Sequence, residues 1–241
     1  MIKVCLFSVL FSTFVTMAQS SVLIENVTIV SPHLAQPQPH MNVLIEESRI
    51  TQITKNKLTG FDKKIDGTGK FLTPGIMDSH AHVSSIPGMG FGVEPMAIKH
   101  PKLVEAYFTQ QPRSFLYYGV TQLLDPNPGV NSDHFESAVD HPDYFRCEVI
   151  TSIHTFPYVE KTDQKSRSMF TYLIDENASA NEAMSAENIV LKISQSGAAC
   201  IKLYLEDGYG NANQWPTFSA NTLQRIKASA DKVNLPILAH A

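Results

Sequence analysis

Cysteine is scarce in this chain: three in 241 residues, one of which, Cys5, sits inside an N-terminal apolar run. A small scaffold stapled by many disulfides is therefore excluded. Charge is modest as well, at 17% charged residues and a formal net charge of −4 spread along the sequence. There is no basic run, no low-complexity tract and no repeat of short period, so no cationic surface speaks for nucleic-acid binding. With 43% hydrophobic residues the chain can bury an ordinary core, and neither a disordered nor a fibrous class fits.

What is present begins with residues 1–20. Lys3 precedes an apolar run from Val4 to Met17, and small residues follow at Ala18 and Ser20. A short positive start, an apolar stretch too short to span a bilayer comfortably and a small-residue cleavage site make a secretory signal peptide. The expectation is a secreted or periplasmic protein, with no membrane attachment once the segment is removed. Cys5 lies within the run rather than at its end, so it does not read as a lipid-attachment site. Cys147 and Cys200 then remain, each in a predicted strand, where a buried thiol behaves as a small hydrophobe. Export permits a disulfide between them, but two thiols in an apolar interior are expected to stay apart.

Two regions follow the leader. Residues 21–72 read as short strands: Ser21–Val30 is rich in Val and Ile, and Asn42–Glu46 and Arg49–Thr54 alternate apolar with polar residues. Residues 73–241 switch to strands alternating with helices, the strands predicted at Leu72–Val83, Val120–Asp125, Glu148–Ser152, Ala198–Leu205 and Ile237–His240. In the helical stretch Ser219–Asn234, Leu223, Ile226, Ala230 and Val233 share one face and Ser219 is a natural N-cap. Another helix, ending near Ser196, is closed by Gly197. Strand–helix alternation of this length implies a parallel sheet with right-handed crossovers. An open doubly wound sheet and a (β/α)8 barrel both fit.

Three stretches carry candidate chemistry. In Thr73-Pro74-Gly75-Ile76-Met77-Asp78-Ser79-His80-Ala81-His82, the histidines are two apart, so on a strand both point to the same side. Pro74-Gly75 marks the turn into the strand and puts the pair near its C-terminal end, where parallel α/β folds gather ligands. Two neutral imidazoles there suit a transition metal such as zinc; hydrogen-bonded core histidines are the other reading. In Ala199-Cys200-Ile201-Lys202-Leu203-Tyr204-Leu205, alternation sets Ile201, Leu203 and Leu205 against helices and turns Lys202 inward. An interior ammonium must be paired with a carboxylate or lose its charge. A neutral amine can add carbon dioxide to give a carbamate able to bridge two metals. The third stretch, Leu235–His240, is a short apolar strand ending in histidine.

Together these stretches resemble the amidohydrolase superfamily. The likeness runs through Ile65-Asp66-Gly67-Thr68-Gly69-Lys70 and the Pro-Gly-Ile-Met-Asp-Ser-His-Ala-His motif, then Gly119-Val120-Thr121, Ile201-Lys202-Leu203 and Leu238-Ala239-His240-Ala241. Members similar to imidazolonepropionase, to secreted prolidases and to cyclic-amide hydrolases are nearest in kind. The resemblance implies an α/β fold, an incomplete TIM-type (β/α)8 barrel holding the first five strands, preceded by a small β-sandwich module. It further implies metal ligation by His80, His82, Lys202 and His240, with Asp78 as an outer partner. The cofactor would be two zinc ions bridged by carboxylated Lys202, sharing a hydroxide that opens an amide or cyclic-amide C–N bond of a small molecule. A histidine and a proton-shuttling aspartate usual in the family after the fifth strand have no counterpart here, so the chain is expected to carry only the first part of the site. A non-catalytic remnant or a periplasmic metal-binding protein is the alternative.

Overall fold

The structure is a computed structural model that describes residues 21–87, 98–129, 131–155, 157, 172–208 and 215–240. The leader at 1–20 and part of the glycine-containing loop 84–94 lie outside the described residues. The chain divides after Pro74 into two compact units.

The first unit is a five-stranded mixed sheet, the small β module. Its strands are β1 (Val22–Ile29), β2 (Gln38–Glu46), β3 (Arg49–Thr54), β4 (Lys63–Asp66) and β5 (Phe71–Leu72), in the order β3-β2-β1-β4 with β5 also on β1. β1, β2 and β3 pair antiparallel, and β4 and β5 run parallel to β1. Glu47 and Ser48, with φ of 49° and 59°, make the two-residue turn between β2 and β3. Positive φ at both positions matches the twist of the flanking strands. Leu23, Val27, Met41 and Val43 are its buried apolar residues.

The second unit is a six-stranded sheet in which every pairing is parallel. Its elements are β6 (Ile76–Asp78), α1 (Pro101–Tyr117), β7 (Val120–Asp125), α2 (Ser132–Ser137), β8 (Asp143–Ser152), β9 (Tyr172–Ile174), α3 (Ala186–Gln195), β10 (Cys200–Tyr204), α4 (Ala220–Lys232) and β11 (Ile237–His240). The order β11-β10-β8-β7-β6, with β9 added to β8, is that of a half-barrel with helices on its outer side. α3 and α4 form as the sequence predicts. Ser185 and Ser219 accept the N–H of Asn188 and Thr222 at their N-termini, and Gly197 takes φ of 82° just past α3. Ile150, Ile201 and Leu203 pack with Ile189, Val190 and Ile193 of α3 and Ile226 and Ala230 of α4 in the main core. Each fully buried side chain of this size contributes about 1.5–3 kcal/mol.

Two expectations are corrected. The strand predicted over Leu72–Val83 is split: Phe71–Leu72 pairs with β1, whereas Ile76–Asp78 pairs with β7. Pro74 has no N–H to give a ladder, and the chain changes sheets across Thr73-Pro74-Gly75. Gly75 is needed for a further reason, because a Cβ there would lie 1.9 Å from Thr121 Oγ1. The glycine of the first motif and the threonine of the second thus share one packing contact. The second correction concerns the thiols. Cys147 and Cys200 are bonded as a disulfide, 53 residues apart in sequence. They are register partners on the neighbouring strands β8 and β10, with Cα atoms 4.3 Å apart. Sequence order could not show that these two strands are adjacent in that register.

Candidate metal centre

The inner face of the half-barrel is built by alternation along its strands. Since Ile201 and Leu203 face the helices, Cys200, Lys202 and Tyr204 face inward. Register then puts Cys147 opposite Cys200, and Val149 and Leu238 on either side of Lys202. Below this level Met77, Gln122, Leu124, Phe145, Cys200 and Leu238 line an apolar cavity of about 400 Å³.

His80 and His82 lie just beyond β6 rather than on it. The alternation nevertheless persists: Ala81 and Val83 are buried with Leu123 and Phe135, while the two histidines are exposed. The segment is held beside β7 by Ala81 N–H donating to Leu124 O at 2.9 Å. The two imidazoles meet edge to face, with ring centroids 5.2 Å apart. Asp78 Oδ1 accepts the backbone N–H of His80 at 3.0 Å. His240 ends β11 and stands beside Tyr204, ring centroids 5.0 Å apart. Lys202 is buried, its ammonium 5.7 Å from the centre of the Tyr204 ring.

Electrostatics tie these groups together. Partial desolvation first, then repulsion from His82, Lys202 and His240, hold the His80 imidazole below its ordinary pKa, against the opposing pull of Asp78. A lowered value keeps the ring neutral near pH 7, the form a metal ligand needs. Burial lowers the Lys202 ammonium too, with Glu206 opposing. That shift favours the amine over the ammonium, as reaction with carbon dioxide requires.

Two carboxylates stand beside the histidines, of which sequence reasoning placed Glu206 at the end of its strand and did not single out Asp125. Asp125, the last residue of β7, is fully buried, and its Oδ1 lies 3.6 Å from His82 Nδ1. Glu206, just after β10, places Oε1 2.9 Å from His240 Nδ1. The signal for Asp125 was its position at a predicted strand's C-terminal end, two residues past Leu123. Among the described residues no three His, Cys, Asp or Glu side chains stand close enough to hold a metal ion by themselves.

The fold is shared with solved amidohydrolase-superfamily structures. A prolidase complexed with N-methylphosphonate-L-proline is 18% identical and superposes with a TM-score of 0.66, over 92% of this chain and 56% of its own. An amidohydrolase superposes equally, at 0.66 and 20% identity, over 92% of this chain and 56% of its own. A Xaa-Pro dipeptidase with bound methionine gives 0.62 and 20% identity, over 92% and 57%. At these identities the likeness establishes the fold. In sequence, an N-acetylglucosamine-6-phosphate deacetylase of Lysinibacillus sphaericus is 31% identical over 106 residues, 44% of this chain and 26% of that protein. No family profile matches the chain. The chain thus spans a little over half the length of these solved structures and about a quarter of the deacetylase.

Proposed function

We propose, from the half-barrel it shares with amidohydrolase-superfamily structures, that this chain supplies metal ligands of a hydrolase cleaving amide or cyclic-amide C–N bonds in small molecules. The observation that carries the reading is that His80 and His82 just past β6, Lys202 on β10 and His240 at the end of β11 lie toward the C-terminal ends of one parallel sheet, near enough that the other three all disfavour a proton on His80. His80 and His82 would hold one divalent ion and His240 a second, zinc in this reading, with carboxylated Lys202 between them. The donor types fit such a pair: three imidazoles and a desolvated amine. When bound, the ions supply Lewis-acid polarisation and an activated water at neutral pH.

The residues of the chain have their own tasks. Desolvation holds the His80 ring toward its unprotonated form, and Asp78 fixes the backbone that carries it. Lys202 sits on a strand bonded on both sides, which limits how far its amine can wander. Export to an oxidising compartment belongs to the same reading. The leader at residues 1–20 supports it, and so does the Cys147–Cys200 bridge.

The test is metal and carbamate first, turnover second. The full chain is purified metal-free and incubated with zinc and carbon-13-labelled bicarbonate. Expected is uptake of about two zinc ions per chain, with a carbamate carbon signal that disappears in Lys202→Met. Release of amine from Xaa-Pro dipeptides, N-acyl amino acids and N-acetylated amino sugars, and ring opening of hydantoins to carbamoyl amino acids, are then followed, with the chain and with the longest product of its gene. A chain that takes up no zinc and shows no carbamate overturns the reading.

A further inference from the structure

Asp125 is a carboxylate with no exposed surface at the C-terminal end of a parallel strand. Burying an anion is costly unless donors surround it. Its donors are the Asn127 N–H to Oδ1 at 3.0 Å, the Tyr144 hydroxyl to Oδ2 at 3.1 Å and the Val83 N–H to Oδ2 at 3.4 Å. All three are neutral, and the His82 ring also lies at ion-pair distance, with Nδ1 3.6 Å from Oδ1. The phenol of Tyr144 is itself held far above its ordinary pKa by burial and by Asp125, so it stays a proton donor.

This arrangement spans three neighbouring stretches. Val83 and His82 lie on the segment after β6, Asp125 ends β7 and Tyr144 is on β8. One carboxylate therefore holds the backbone of the segment that presents the histidine pair and lies beside the His82 ring.

We propose that Asp125 is a positioning residue: it fixes His82 as the tautomer with the proton on Nδ1, leaving Nε2 as the ligand nitrogen. An ionised carboxylate only accepts hydrogen bonds. A neutral ring nitrogen without a proton would repel it, so the proton belongs on the side facing Asp125. The 3.6 Å separation is longer than a hydrogen bond, and seating a cation on Nε2 strengthens the Nδ1–H donor that would close it. At the other edge of the sheet the same nitrogen of His240 already meets Glu206 at 2.9 Å. Carboxylates that orient metal-binding imidazoles in this way change metal affinity about 10–100-fold when removed. The inference rests on the ligand reading of His82, and its first readout does not.

That first readout is nitrogen NMR of the full chain with labelled histidine, metal-free and at about pH 8, where imidazoles are neutral. Expected is a wild-type His82 signal of a ring protonated at Nδ1. In Asp125→Asn it moves toward the other tautomer or an average of both, while Tyr144→Phe, which keeps the carboxylate, leaves it in place. The second readout is zinc affinity by chelator competition: about 10–100-fold weaker in Asp125→Asn, with a smaller change in Tyr144→Phe. Should Asp125→Asn fail to fold, the wild-type and Tyr144→Phe spectra still decide. A wild-type His82 protonated at Nε2, or folded Asp125→Asn with unaltered signals and affinity, overturns the proposal. Absence of zinc uptake by the wild type overturns the functional reading instead, and the tautomer is still measured.

Discussion

On the outer face of the parallel sheet, Ile150, Ile201 and Leu203 are sealed beneath α3 and α4. On the inner face, at the alternate positions of β8 and β10, lie the Cys147–Cys200 bridge and Lys202, with His240 at the end of the neighbouring β11. The outer face is continuous apolar packing, whose worth is area removed from water. The inner face carries a disulfide, a desolvated amine and imidazoles beside carboxylates, groups that cost stability unless something specific compensates. A strand's period of two lets one segment serve both purposes without compromise. Apolar burial is concentrated on one side of β10 and the ionisable and sulfur groups on the other.

Substitutions at adjacent positions can break that division. The largest effect is expected at Lys202→Met, which keeps bulk and removes the amine. Zinc uptake should fall by more than the roughly 10–100-fold that loss of an outer partner causes, with the circular dichroism spectrum unchanged. A variant that still binds zinc as tightly would move chemistry off the inner face. Next comes the bridge. Removing it by Cys147→Ser with Cys200→Ser should lower unfolding free energy in denaturant titration by up to about 4 kcal/mol, the loop-entropy value for a closed loop of this size. No loss of stability would mean that the inner face holds its register through other contacts.

The outer face is then tested by Ile201→Ala, which empties a fully buried position. A loss of about 2–5 kcal/mol is expected, with zinc affinity per folded molecule unaltered. A large change in affinity at unchanged stability would show that the two faces are not separable. The smallest effect is a slope with pH. Burial lowers the Lys202 pKa below the ordinary 10.5, so the unfolded chain holds that proton more tightly than the folded one. The stability of the metal-free chain should therefore rise with pH between the lowered value and 10.5. This part of the slope should vanish in Lys202→Met; an identical slope in both proteins would show that the amine is not desolvated.

Much of this division was legible beforehand. The strands Val120–Asp125 and Ile237–His240 occur where the apolar runs put them, and α4 begins at the serine that caps it. The inward turn of Lys202 followed from two isoleucine- and leucine-bearing positions beside it, because alternation needs only local sequence. The break at Thr73-Pro74-Gly75 was less visible, since an apolar stretch with a motif inside it reads as one strand until its partners are known. The bridge was misjudged for a related reason. Whether two cysteines can bond depends on which strands are neighbours and in which register, and both are long-range facts.

By itself the sequence determined the periods: which residues share a face, where helices start, and that two histidines, a lysine and a last histidine fall at or near strand ends. Tertiary structure alone decided who meets whom: Cys147 with Cys200, Gly75 with Thr121, Asp125 with His82 and Glu206 with His240. Periodicity is a property of neighbouring residues along a chain, whereas a contact between strands requires the whole sheet to be in register.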